Sequence, residues 1–170
     1  SFVIIDSLSS LSLNSGCTDI QACNYDENAD LDDGSCWYSN EGCNCDFPQG
    51  YILDDCGVCS FPINLETFDY HEFEFNGSIT AQILVNGQQN GSENDMLISL
   101  VEDEIRGYVY GSLFPLSGLI QFPIMIYSNQ TSDEIISFKY YHASSNQFFC
   151  LDETINFSNN MMVGNGFNPF

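Results

Sequence analysis

Residues 16–36 read GCTDIQACNYDENADLDDGSC. Three cysteines, Cys17, Cys23 and Cys36, frame a run of acids and amides: Asp26, Asn28, Asp30, Asp32 and Asp33. No Lys or Arg lies among them. Thiols that close loops, beside carboxylates that attract a hard cation, point to a small loop-rich module held by disulfides and calcium. Outward from this stretch the cysteine region extends over 16–60. It holds Cys17, Cys23, Cys36, Cys43, Cys45, Cys56 and Cys59, and the eighth cysteine, Cys150, stands far downstream. A segment this short buries too little apolar surface to fold without cross-links. Seven is an odd number, so complete pairing within the chain requires one bridge from the cysteine region to Cys150. The spacing leaves the connectivity open.

The whole chain has 170 residues, with 24 Asp and Glu against two bases, Arg106 and Lys139, and a formal net charge of −22. Nucleic acid is excluded as a partner, since phosphate binding needs cationic side chains. The same argument disfavours an anionic membrane surface. Self-repulsion of this size calls for screening by salt or bound cations. The apolar fraction, 44%, supplies a core. Eight cysteines in an acidic chain place it in an oxidising compartment, secreted or extracellular. No stretch reaches the ~20 apolar residues of a membrane span. The apolar run Phe2, Val3, Ile4, Ile5 is too short for a signal-peptide core, and a start at Ser1 reads as a processed, mature chain.

Three regions follow. Residues 1–15 are an apolar, Ser-rich extension that reads as strand, either of the chain's own sheet or donated to a neighbour through Phe2, Val3, Ile4 and Ile5. Residues 16–60 are the calcium-binding cysteine module. Residues 61–170 turn aromatic and β-branched, with apolar runs at 66–75, 78–85, 96–101, 105–110, 120–127, 134–142, 147–150 and 153–157. Seven or eight short runs separated by turn signals predict a mainly β fold, with an Ig-like antiparallel β-sandwich after the cysteine module. Asn76-Gly77 predicts a hairpin between the first two runs. Pro115 and Pro123 require an edge or a bulge.

The expected calcium ligands are Asp19, Asp26, Asn28, Asp30, Asp32 and Asp33, because oxygens at every second residue let a loop wrap an ion. The loop is not an EF-hand: the sixth position from Asp26 is Leu31 and the twelfth is Trp37. Asp54-Asp55 is a weaker second candidate. Cys56-Gly-Val-Cys59 has redox spacing without a thioredoxin-like setting. A zinc site from Cys43, Cys45, Cys56 and Cys59 stays open beside disulfides. His71 and His142 sit in predicted strands beside Tyr and read as structural. Asn76, Asn90, Asn129 and Asn156 open glycosylation sequons.

Residues 16–36 resemble the GCT-D-xx-ACNY-xxxA-xxDDGSC repeats of large secreted and surface proteins of marine bacteria, many of them Bacteroidetes. The anchors are Gly16-Cys17-Thr18-Asp19, Ala22-Cys23-Asn24-Tyr25, Ala29 and Asp32-Asp33-Gly34-Ser35-Cys36. Residues 54–59 look like the DxCGVC units that accompany them. The C-terminal half is similar to a module found beside such repeats, on Asp95, Leu97, Val101, Asp103-Glu104, Arg106-Gly107, Met125-Ile126-Tyr127, Phe138-Lys139-Tyr140-Tyr141 and Val163-Gly164-Asn165. Cys150 departs from that pattern. The resemblance implies an extracellular, structural or adhesive setting.

The sequence therefore predicts a non-enzymatic, self-assembling subunit of a surface filament or appendage, built head to tail from copies of itself and stabilised by disulfides and Ca2+. The alternative is a glycan-binding adhesion module whose exposed Trp37 or Tyr residues stack on sugar. A hydrolase accessory domain is a third reading.

Overall fold

A computed structural model describes residues 13–54 and 56–170. The extension carrying Phe2, Val3, Ile4 and Ile5 lies outside the described residues. The chain divides into two compact units, one containing the chain through Leu53 with Cys59–Phe61, the other Asp54–Val58 with Pro62–Phe170. The division differs from a simple cut at residue 60. Residues 54–58 go with the second unit because Asp54 and Cys56 find their partners there, in Lys139 and Cys150.

In the first unit, β1 (Ser15–Gly16) pairs in parallel with β2 (Leu31–Asp32). A second ladder joins β3 (Ile52–Leu53) to β4 (Cys59–Ser60), antiparallel. The rest is turns, closed by bonds such as Ala22 N to Asp19 O and Ala29 N to Asp26 O. Among its described residues Cys17, Ala22 and Ser60 are buried, which is too little for an apolar core. Cys17–Cys36, Cys23–Cys45 and Cys43–Cys59 supply the cross-links instead.

The second unit is two sheets over a shared core. The first sheet contains β5 (Phe75–Ala81), β10 (Ser112–Phe114), β11 (Leu119–Ser128) and β15 (Met162–Val163), in the order β10-β11-β5-β15. The second contains β8 (Met96–Val101), β9 (Glu104–Tyr110), β12 (Ser132–His142) and β13 (Gln147–Cys150) in the order β13-β12-β8-β9, with β14 (Ile155–Ser158) on β12. A separate hairpin joins β6 (Ile83–Val85) to β7 (Gln88–Asn90). Alternation along each strand sends Ile79 and Ala81, Phe122, Ile124 and Ile126, Ile136, Phe138 and Tyr140 into one cluster with Leu97 and Phe157. The other face of β8 is covered too: Met96, Ile98 and Leu100 pack with Ile105 under Ile63, Leu65 and Phe68. That is why β8 is apolar on both faces, interrupted by Ser99 alone. The sheets come close where β9 passes β11 without a ladder. A Cβ at Gly107 would lie 2.0 Å from the Met125 carbonyl oxygen, so only glycine fits.

Three expectations are corrected. Residues 66–75 open not as strand but as single 3-10 turns, Leu65–Thr67 and Tyr70–Glu72, because Asn64 and Asp69 cap them by accepting from Glu66 N and His71 N. Asn76-Gly77 lies inside β5, where Met161 packs onto the glycine. The two-residue turn is at Asn86-Gly87, both at positive φ (53° and 75°) between Val85 and Gln88, which pair across it. The sandwich is also not antiparallel throughout. β15 runs parallel to β5, because the chain reaches it by crossing from β14 in the other sheet rather than by a hairpin. Pro123 lies past Gln121, the last β11 residue paired with β10, so no bond on that side is interrupted.

Candidate functional site

The expected calcium ligands are present but not gathered. Several carboxylates cap their own turns: Asp26 Oδ1 accepts from Asn28 N at 2.9 Å, Asp32 Oδ1 from Gly34 N at 3.0 Å and Asp33 Oδ1 from Ser35 N at 2.9 Å. Asp30 Oδ2 accepts from Asn14 N, and Asn28 donates to Asp26. Asp19 accepts from Gln21 N and from the Tyr38 hydroxyl at 2.6 Å. The Tyr38 bond holds the Asp19 carboxyl below its ordinary range and pushes the phenol up. Bonds from Ser35 do the same to Asp33. The spacing that suggested a wrapped ion is also the spacing at which an Asp caps the N–H two residues on, and the local bond competes. Among the described residues no three His, Cys, Asp or Glu side chains converge on a metal position. In the second candidate pair, Asp55 lies outside the described residues, and Asp54 is engaged by Lys139 at 2.7 Å and by the backbone of Cys56 and Val58.

All eight cysteines are paired, the fourth bridge being Cys56–Cys150. Cys56 and Cys59 belong to different bridges, which removes both the redox and the zinc readings of their spacing. Four disulfides persist in an oxidising compartment, so the protein is extracellular or secreted. No helix among the described residues is long and apolar enough to cross a membrane. The sequon residues Asn76, Asn90, Asn129 and Asn156 are all exposed and all in the second unit. Trp37 is half-buried and its backbone bonds to Asn24 and Cys23.

Sequence reasoning missed two polar networks. Asp95, buried, accepts from Ser92 N at 2.7 Å, Tyr140 Oη at 2.6 Å and Ala143 N at 2.9 Å. Burial alone raises a carboxyl, but these donors outweigh it and hold Asp95 below its ordinary range. Burial and Asp95 together push the Tyr140 phenol far up. Arg106 is the extra residue of a bulge, since Ser99 faces Gly107 and Leu100 faces Ile105. The bulge turns it inward, where it binds Glu134 with both terminal nitrogens, reaches Glu104 at 3.1 Å and lies over Phe73. Ser128 donates to the same Glu134 carboxylate. A cavity of about 240 Å3 in this unit is mostly apolar, lined by Ile83, Leu97, Phe138, Leu151 and Phe170, with Glu153 as its titratable group.

The largest feature is the segregation of charge. Residues 75–92, 107–132 and 154–170 contain no Asp, Glu, Lys or Arg. The fold puts these segments together: β5, β10, β11 and β15 come entirely from them, so one whole sheet carries no charge. On its outward face Met162 is opposite Ser78, which faces Met125, and Thr80 faces Pro123. Met162 is 84% exposed and Phe167, stacked edge-on to Phe114, is 80% exposed. Counting the intervals between charges would have revealed the segments. Their assembly into one sheet needed the topology. No protein-family profile, no curated protein and no solved structure matches this chain.

Proposed function

We propose that this protein is a non-enzymatic, extracellular structural subunit that associates with copies of itself into a surface filament or appendage. The observation that carries the reading is the charge-free sheet in a chain of net charge −22. Two copies repel over every acidic surface they present. Contact through β5, β10, β11 and β15 brings the fewest like charges together and covers Met125, Met162 and Phe167. Monomers rarely expose apolar patches beyond a few hundred Å2. Contact between this face and an unlike apolar surface of the next copy is head to tail and propagates unless the rotation closes a ring. Cations serve here by screening the flanks of the contact. The resemblance of residues 16–36 to repeats of bacterial surface proteins supports the same setting.

The test is light scattering and negative-stain imaging of the oxidised chain across salt concentrations, beside the double variant Met125→Glu/Met162→Glu. The native chain should assemble, more so as salt rises, and the variant should stay monomeric with its fold intact. A monodisperse native monomer at high protein and high salt refutes the reading.

A further inference from the structure

The 63–75 segment ends in a platform of aromatic rings. Its apolar anchors Ile63, Leu65 and Phe68 pack on the outer face of β8, and its two capped turns fix the backbone between them. Phe68 has its centroid 5.8 Å from Tyr108 and 6.0 Å from Tyr127, and Tyr70 lies 5.6 Å from Tyr127. Tyr70 and Tyr108 remain 51% and 37% exposed. The rings are thus held in place yet open to solvent. They sit among acids: Glu66, Asp69, Glu72 and Glu74 are on the same segment, exposed, with no Lys or Arg on it, while His71 bonds to Asp69 and has its ring 3.9 Å from that of Tyr70. One ring of the group already carries a cation, since the Arg106 guanidinium lies 5.2 Å from the Phe73 centroid.

We propose that this platform binds a lysine- or arginine-bearing segment of a different polypeptide, with the cationic head over Tyr70 and Tyr108 and the acids around it. Charge decides the occupant. An exposed π face attracts a cation within about 6 Å, and four neighbouring carboxylates deepen the potential. A neutral sugar gains nothing from that potential, and an anionic glycan or phosphate is repelled by it. A second copy of this chain cannot supply the basic side chain. Its only two, Arg106 and Lys139, are committed to Glu134 and Asp54. The reading is independent of self-association, because it uses different residues and a different partner.

The experiment titrates the intact, oxidised chain with a short capped peptide containing two arginines, with the same peptide bearing citrulline, and with neutral oligosaccharides. NMR at 150 and 500 mM NaCl reads the ring protons. The arginine peptide should shift Tyr70, Tyr108 and Tyr127 while citrulline does not. Tyr70→Ala/Tyr108→Ala should weaken binding roughly threefold to thirtyfold at unchanged net charge, and Tyr70→Phe/Tyr108→Phe should retain it. Tyr25→Ala, on the other unit, should leave it unaltered. Equal binding by the double alanine variant, shifts spread over all acidic surfaces, or ring shifts produced equally by citrulline or by sugar overturn the proposal.

Discussion

The two units reach order by opposite routes. The first has three disulfides and, among its described residues, three buried side chains. The second has two apolar clusters and one disulfide. In the first, Asp19, Asp26, Asp32 and Asp33 spend oxygens on backbone N–H groups of their own turns. In the second, Asp54, Asp95 and Glu134 are drawn inward, and each takes a donor from far along the chain: Lys139, Tyr140 and Arg106. Cross-linking replaces burial where charge is dense, and burial replaces cross-linking where charge is absent.

Reduction should break this comparison open with the largest effect. Each bridge contributes about 2–4 kcal/mol by restricting the unfolded chain, and the first unit has no core to fall back on. Under reductant, amide hydrogen exchange should lose all protection in residues 13–53 while β5, β8, β11 and β12 stay protected. Simultaneous loss in both units would mean that the second also depends on its bridge.

A smaller effect tests the second unit. Asp95 is held below the unfolded carboxyl value near 3.9. A depressed folded pKa gives stability that is present above the unfolded value and lost as pH falls through the folded one. Asp95→Asn should cost about 2–3 kcal/mol at neutral pH and flatten the loss of stability below about pH 4. An acid limb identical to that of the native chain would assign acid unfolding to other carboxylates.

The smallest effect should come from metal removal. With Asp26, Asp32 and Asp33 already capping turns, EDTA at constant ionic strength should move the melting temperature far less than reductant does. A fall comparable to that of reduction would show that the loop rearranges around an ion.

Legibility followed the same divide. The runs at 96–101, 105–110, 120–127 and 134–142 correspond to β8, β9, β11 and β12, because apolar periodicity reports burial directly. The parity of the cysteines required a bridge to Cys150, but which of seven partners it takes is set by tertiary approach. The acid run was ambiguous in principle, since turn capping and ion wrapping use the same side chains at the same spacing. Residues 66–75 misled for a similar reason. Their alternation is real, yet the caps at Asn64 and Asp69 operate at shorter range and win. The bulge at Arg106 had no signal at all in the sequence, because it is a mismatch between two strands.

The four bridges overlap in sequence: 17–36, 23–45, 43–59 and 56–150. Every residue from 17 to 150 therefore lies inside at least one closed covalent loop. A pull along the chain passes through sulfur rather than through the backbone of the largest loop. That loop spans 94 residues, roughly 300 Å of contour at full extension, and holds every strand from β5 to β13. Tension can peel β14 and β15, which lie beyond Cys150, but it cannot unravel the sheets within the loop while the sulfurs stay joined. The molecule is thus inextensible through most of its length, a property suited to a link that carries load.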